Sequence, residues 1–501
     1  MSKAFPRRRI AVPLAALMLA GCATEVPQVL TSPLVPKTFT APIPDSAQIW
    51  PQADWWKTFG NPELSDLIAK AQSGNQDLAA AAARVMEAQA QKTIQRSALF
   101  PQFDLDGQGE RAGGSTTLAA NSGTGVPTTV TSAGNTFGLS LGASYELDFW
   151  GLARDNLRSA EETLKSARYA KEVVALTVTS NAADNYFAVL ALRKRISILG
   201  ENIAAINDIL RVIKLKVSTG SSSHLDLAQE QAQLEAVETQ LPALQEQERE
   251  GRYALAVLLG QSPEEFDVTT RDLEAIEAPV VGPGLPFELL LRRPDVAQAE
   301  ANLAAAHANV DAARAAFLPQ ISLTGEGGFA SAAAGILLHS SNFGWEYGAN
   351  LLQTVFDGGR LIGQKRLTDA TQNELIANYR SAVLNAMSDV ETSLGQVASD
   401  RTQEEHLTRE VAAAREAFRI SELQYRQGST DLLTVLQTQQ TLFGAEDQLA
   451  QMTEARLQAV VRLYQALGGG WVENPKDQTQ TTTVGSPAPP SAAPHNFPPL
   501  L

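Results

Sequence analysis

The side chains with most chemical potential in this 501-residue chain are one cysteine and five histidines. His224, His307, His339, His406 and His495 are scattered, and none stands in an HExxH or comparable ligand spacing, so no metal is expected. Gly107-Gln108-Gly109-Glu110-Arg111-Ala112 fits the loose dinucleotide pattern GxGxxA. A Gly/Ser/Thr-rich stretch follows it instead of a helix, which leaves no helix dipole for a pyrophosphate. No Walker A lysine motif occurs, so any driving energy has to come from partners. One cysteine admits neither an intrachain disulfide nor a thiolate-rich metal site. Neither an enzyme nor a resident cofactor is expected. The 40 Lys+Arg against 55 Asp+Glu, net −15, also argue against nucleic acid, whose phosphates need a basic surplus.

The cysteine itself has a different use. Lys3, Arg7, Arg8 and Arg9 precede an apolar run from Ile10 to Ala20, too short to span a bilayer, as in a cleaved secretory signal. Leu19-Ala20-Gly21-Cys22 ends that run and resembles the bacterial lipobox. The resemblance implies a signal peptide over 1–21, a diacylated Cys22 thiol and a third acyl chain on the new amine. Each buried CH₂ contributes about 0.8 kcal/mol, so three chains anchor firmly in outer membrane lipid. Ala23, not Asp, follows the cysteine, which by the same resemblance favours the outer membrane. Removing 1–21 leaves 36 basic and 55 acidic residues, net −19.

Behind the anchor, the chain reads as one unit written twice. A Pro-rich lipidated leader occupies 22–60. The first repeat runs over 61–283 and the second over 284–471, and a Pro-rich tail with seven prolines, expected to be disordered, fills 472–501. Phe100-Pro101-Gln102 answers Leu318-Pro319-Gln320, 218 residues apart, whereas Gly220/Gly428 and Gly260/Gly468 lie 208 apart. The first copy therefore holds extra residues in between, placed in the stretch Gly113–Gly134, which reads as a long loop. A repeat of this size is a duplicated half-molecule rather than a short-period solenoid.

Each half carries a helix, a strand pair (about 103–150 and about 320–356) and a long helical hairpin. Phe137, Leu139, Leu141, Ala143, Tyr145, Leu147 and Phe149 alternate with Gly138, Ser140, Gly142, Ser144, Glu146 and Asp148. That period of two gives a strand with one apolar and one polar face, long enough to cross a bilayer. Phe103/Leu105, Ile321/Leu323 and Trp345/Tyr347/Ala349/Leu351 mark three more strands. Proline is absent from 151–217 and from 359–427, so helices of roughly 100 Å are expected, with small apolar residues three and four apart as in a coiled-coil-like wall. Four strands cannot close a membrane barrel, and open edges in lipid would leave backbone groups unpaired, so several chains must share one. Two copies give eight strands and a filled lumen; three give twelve and room for a channel, which is the favoured count.

Several stretches now match one family. Asp54-Trp55-Trp56-Lys57-Thr58-Phe59, Tyr145-Glu146-Leu147-Asp148-Phe149-Trp150-Gly151, Arg292-Arg293-Pro294-Asp295-Val296, Phe356-Asp357-Gly358-Gly359-Arg360 and Tyr425-Arg426-Gln427-Gly428-Ser429 resemble the lipoprotein branch of the TolC-like outer membrane efflux proteins. The resemblance implies a mixed α and β homotrimer, with a 12-stranded transmembrane β-barrel continued by a periplasmic α-helical barrel. It further implies an exit duct for drugs or other small molecules in a tripartite pump. Its partners would be a periplasmic adaptor and an inner-membrane transporter of the resistance-nodulation-division class. The same resemblance puts adaptor-contacting tips at Gly220, Ser221, Gly428 and Ser429, and a periplasmic gate at Leu433, Gln437, Asp431 and Asp226. Gln437 stands where relatives often carry Asp; three glutamines hydrogen-bond to one another without the mutual repulsion of three carboxylates. Asp104, Asp106, Glu146, Asp148, Glu326 and Glu346 lie on the polar strand faces and would favour cations if they face a lumen. Type I protein secretion and a non-channel coiled-coil scaffold lipoprotein are the alternative readings.

Overall fold

The computed structural model describes residues 39–41, 52–118, 128–271, 273–274, 276–281 and 292–471. Cys22, the leader up to 38 and the Pro-rich tail lie outside them. The chain order is a 3-10 turn (Trp55–Phe59), α1 (Pro62–Gly74), α2 (Gln76–Ser97), β1 (Gln102–Leu118), β2 (Thr128–Leu147), α3 (Leu152–Ser218), α4 (His224–Glu238) and α5 (Gln240–Leu258). Then come α6 (Pro294–Ala315), β3 (Gln320–Ser331), β4 (Phe343–Leu352), α7 (Arg360–Gln427) and α8 (Leu432–Ala466). No described helix is long and apolar enough to cross a membrane.

Local chemistry sets the helix ends. Asn61 and Asn75 cap α1 and α2, accepting from the backbone N–H of Leu64 at 2.9 Å and of Leu78 at 3.0 Å. α3 and α7, with 67 and 68 residues, each extend about 100 Å. Both start after a glycine in the left-handed region, Gly151 (φ 90°) and Gly359 (φ 93°), where a side chain would be strained. Beside each glycine an aspartate takes the orphan helix donors. Asp148 accepts from Ala153 N at 3.1 Å and Arg154 N at 3.0 Å; Asp357 accepts from Gly359 N and Leu361 N, both at 2.9 Å. This corrects the expectation for Asp148. It lies beyond the end of β2 and turns its carboxylate onto the helix start, not onto the polar strand face. The second arm of the first hairpin is also broken, into α4 and α5, because Pro242 in the third position of α5 has no N–H to continue the ladder.

The four strands form one antiparallel sheet in the order β1-β2-β3-β4. The stretch Gly113–Gly134 is not a long loop: β1 and β2 stay paired from Gln102↔Ser144 to Leu118↔Thr128, leaving only 119–127 between them. β3 reaches β2 only as far as Phe137↔Ser331, so the β1–β2 ribbon continues beyond the four-stranded part. Gly, Ser and Thr there signal turns by composition, but the ladder of an established antiparallel pair extends through them.

The largest buried core forms a belt around the middle of α3. Trp55 stacks on Tyr464 of α8 with ring centroids 4.8 Å apart, and Phe59 packs on Phe187 of α3 at 5.2 Å. Arg293, buried at the start of α6, bonds Asp295, Asp389 of α7 (3.0 Å) and the carbonyl of Ala466 at the end of α8 (3.0 Å). Gly74 and Gly260 touch backbone to backbone: a Cβ at Gly260 would lie 2.1 Å from the Gly74 oxygen, so neither tolerates a side chain.

Glu63 fastens the first helix to the segment after α5. Its carboxylate accepts from Thr269 N (2.6 Å), Thr269 Oγ1 (2.5 Å), Thr270 N (2.9 Å) and the Tyr186 hydroxyl (3.2 Å). Burial opposes its charge, but the Thr269 and Thr270 donors outweigh burial and hold it at about 2, against 4.5 in water. A depressed value means the staple is fully present above pH 4.5 and is lost as pH falls through about 2. Glu63→Gln should cost about 2 kcal/mol at neutral pH in denaturant melts followed by helical circular dichroism. The gap to the unmodified chain should close as the solution is acidified; a gap that does not change with pH would contradict this account.

Candidate duct wall and periplasmic tip

The register carries the polar–apolar alternation across all four strands. Leu105 faces Leu141, Leu141 faces Gly327 and Gly327 faces Trp345, while Leu139 faces Phe329 and Phe329 faces Phe343. One sheet face is therefore apolar from edge to edge, and it is exposed: Phe103, Leu105, Trp345 and Tyr347 keep 66–81% of their surface open. An uncovered apolar surface of this kind belongs against lipid or a partner. On the other face Asp104 pairs with Gly142, Gly142 with Glu326, and Glu326 with Glu346, so three of the four positions in one row are carboxylates. Like charges directly opposite each other are unfavourable unless water reaches them, which places this face toward solvent. Asp106 lies in the next row of that face, opposite Ser140, and Glu146 is paired with Ser322.

At the far end of α3 and α7 the chain reverses twice in the same way. Gly220 (φ 77°) and Gly428 (φ 76°) take the left-handed conformation. Ser221 N donates to Lys216 O at 2.7 Å, and Ser429 N donates to Gln424 O at 2.9 Å, closing the last helical turn. The return helices are then capped. Ser223 and Asp226 form a reciprocal capping box, with Asp226 Oδ2 also accepting from Ser222 Oγ at 2.6 Å. Asp431 Oδ1 accepts from Thr434 N (2.9 Å) and Thr434 Oγ1 (2.6 Å). Those hydrogen bonds hold both aspartates below the usual carboxylate range, led by Ser222 for Asp226 and by Thr434 for Asp431. Both carboxylates are thus committed to their own helix ends.

The residues expected at the gate separate by face. Leu432 and Val435 are buried with Ile209, Ile213 and Tyr425 in the tip core. Leu433 keeps 57% of its surface exposed, and Gln437 is exposed one turn later. Thr441, Gly444 and Gln448 continue the same exposed stripe, which carries no charge. The tip also holds side chains that the sequence reading passed over. Lys216 of α3 donates to the Tyr425 carbonyl of α7, and its ammonium sits 4.0 Å from that ring's centroid. Glu230 of α4 is fully buried. Its signal was present: Leu227, Glu230, Leu234, Val237, Leu241 and Leu244 follow the three–four spacing of a coiled-coil seam, with one acid among the aliphatics. Among the described residues no three His, Cys, Asp or Glu side chains gather as a metal site.

A sheet with one apolar and one acidic face, joined to paired helices with twin reversals, can be compared with known proteins. The family profile described as Outer membrane efflux protein matches residues 67–261 and 285–469. The chain belongs to that family. It is 38% identical over 472 residues to the pyoverdine export outer membrane protein OpmQ of Pseudomonas putida, covering 93% of this chain and 98% of the relative. It is 40% identical over 422 residues to OpmQ of Pseudomonas aeruginosa, covering 83% and 87%. Among solved structures the outer-membrane channel OprN superimposes with a TM-score of 0.79 at 28% identity, over 87% of this chain and 98% of that one. The mixed helix-and-strand fold expected from the sequence is the fold of these channels.

The exposed, uncharged stripe of α8 carries both residues expected at the gate, Leu433 and Gln437. The double variant Leu433→Ala with Gln437→Ala should raise single-channel conductance in planar bilayers and admit vancomycin to cells. Unchanged conductance together with unchanged vancomycin sensitivity would remove both residues from the gate.

Proposed function

We propose that three copies of the chain form the outer membrane duct of a tripartite efflux assembly, met in the periplasm by an adaptor and an inner-membrane transporter. The observation that carries this reading is the sheet: four strands, one face apolar across the four-stranded part, and two edges, β1 and β4, left without partners among the described residues. In hydrocarbon those edges need hydrogen bonds, and pairing β1 of one copy with β4 of the next supplies them around a closed ring. Three copies give twelve strands and a water-filled interior lined by the Asp104–Glu326–Glu346 rows. The roughly 100 Å helices then extend the duct toward the inner membrane, and the twin reversals at Gly220–Ser221 and Gly428–Ser429 form the end that meets the adaptor.

Lipidation of Cys22 would hold the leader at the inner leaflet of the outer membrane; this rests on Leu19-Ala20-Gly21-Cys22. The cargo we propose is a secreted small molecule of the pyoverdine type, because two relatives at 38% and 40% identity are named for that export. Drug efflux is the second cargo to test.

The purified protein should migrate as a heat-modifiable trimer and conduct ions in planar bilayers, with a reversal potential in a salt gradient that favours cations. Glu326→Gln with Glu346→Gln should bring that potential toward zero while conductance persists. A non-conducting monomer would leave the scaffold reading standing. Unaltered selectivity would move the carboxylate rows out of the conduction path.

A further inference from the structure

Glu230 occupies a seam position of α4 in a packed coiled coil, and 0% of its surface is exposed. Neither carboxylate oxygen has a hydrogen-bond partner. The buried acid further along the same seam is treated differently: Glu248 accepts from Arg193 Nε at 2.8 Å and from Arg252 Nε at 3.0 Å. An unpaired buried carboxylate is among the most costly groups a fold can enclose, so the tip that encloses Glu230 is built for its neutral acid.

The surroundings supply no cation for the ionised form. On its own helix the nearby charge is Asp226, already capping. From α7 comes Tyr425, whose hydroxyl likewise has no hydrogen-bond partner. Burial pushes that phenol up against the opposing pull of the nearby Ser222 hydroxyl, and the carboxylates of Asp226 and Glu230 add to the rise. From α3 comes Lys216, engaged on the Tyr425 carbonyl and ring face. α8 lends this core the apolar side chains Leu432 and Val435, with Leu436 at its margin, and its Thr438 hydroxyl meets Ser421 of α7.

Resting on the channel reading above, we propose that Glu230 is a proton-operated latch: its neutral acid fits the closed periplasmic tip, and its carboxylate loosens that tip toward the open state. The neutral acid carries an O–H donor, and the unpartnered Tyr425 oxygen is an acceptor in the same core. Ionisation removes the donor and demands water, which reaches the site only when α4 lifts from α3, the helix it packs against, and from the Tyr425 ring beside it. Tyr425 sits at the end of the hairpin whose next helix bears Leu433 and Gln437, so the latch acts on the arm that carries the constriction. Burial alone raises Glu230 from 4.5 to about 7. A raised value in the closed form means that closure is fully favoured below 4.5 and is lost as pH rises through about 7. A carboxyl with those two values changes the closed–open ratio by at most about 300-fold per protomer, so a trimer responds steeply.

The test is opening frequency in planar bilayers as pH is raised from about 5.5 to about 7.5, where at least a roughly tenfold rise is expected for the unmodified trimer. Glu230→Gln, a permanently neutral isostere, should open rarely at every pH, and Glu230→Leu should behave the same if the glutamine fails to assemble. Both are checked first for heat-modifiable trimers. Opening that ignores pH, falls as pH rises, or keeps the same pH profile in the neutral variants overturns the latch while the channel stands. Trimers that conduct at no pH overturn the channel reading and the latch with it.

Discussion

Backbone hydrogen bonding in a medium without water is the constraint on which the rest of this chain depends. Four strands whose large apolar residues register on one face through the four-stranded part have to lie where that face is covered, and the lipid core is the solvent that covers it on this scale. Within one copy the sheet order leaves β1 and β4 with unsatisfied amides and carbonyls. Assembly is then a condition for insertion rather than an addition to it. The strand number, the oligomer and the existence of a lumen follow from the same unpaired edges.

The helices inherit their positions from that sheet. Each strand pair delivers the chain into a long helix through a left-handed glycine and a capping aspartate, Gly151 with Asp148 and Gly359 with Asp357. The belt around Trp55, Phe59, Phe187 and Tyr464 holds the helices at mid-length, with Arg293 and Glu63 tying together segments far apart in sequence. Below the belt, packing thins toward a small core at the tip, where Ile209, Ile213, Tyr425, Leu432 and Val435 meet. That tip core is far smaller than the belt, as expected of a unit that opens at lower free energy than the rest.

Much of this was legible in the residues because period-two and three–four spacings report faces directly. The alternation from Phe137 to Leu147 fixed which side of β2 is apolar, and the register then agreed with it strand by strand. The same alternation misled at its end. Asp148 and Phe149 keep the pattern by coincidence after the strand has stopped, and only the helix start shows what Asp148 binds. The Gly/Ser/Thr stretch after Ala112 carries turn composition while its backbone continues the ladder. Glu63 could not be read at all, since its partners Thr269 and Thr270 lie more than 200 residues away. Glu230 was readable in principle, but one acid in a helix rich in Glu and Gln stands out only once the seam is phased.

The central claim is that neighbouring copies complete one another's sheet. It is tested most directly by Leu105→Cys combined in turn with Phe343→Cys, Trp345→Cys, Tyr347→Cys, Ala349→Cys and Leu351→Cys, in a Cys22-containing chain oxidised mildly in outer membranes. Within one copy β1 and β4 are three strand spacings apart, about 14 Å, beyond disulfide reach, so any bond must join two copies. The account predicts a covalent ladder that ends at three chains for the pair in register and fades on either side of it. Monomers at every pair, or a ladder that ends at two or runs past three, would contradict it.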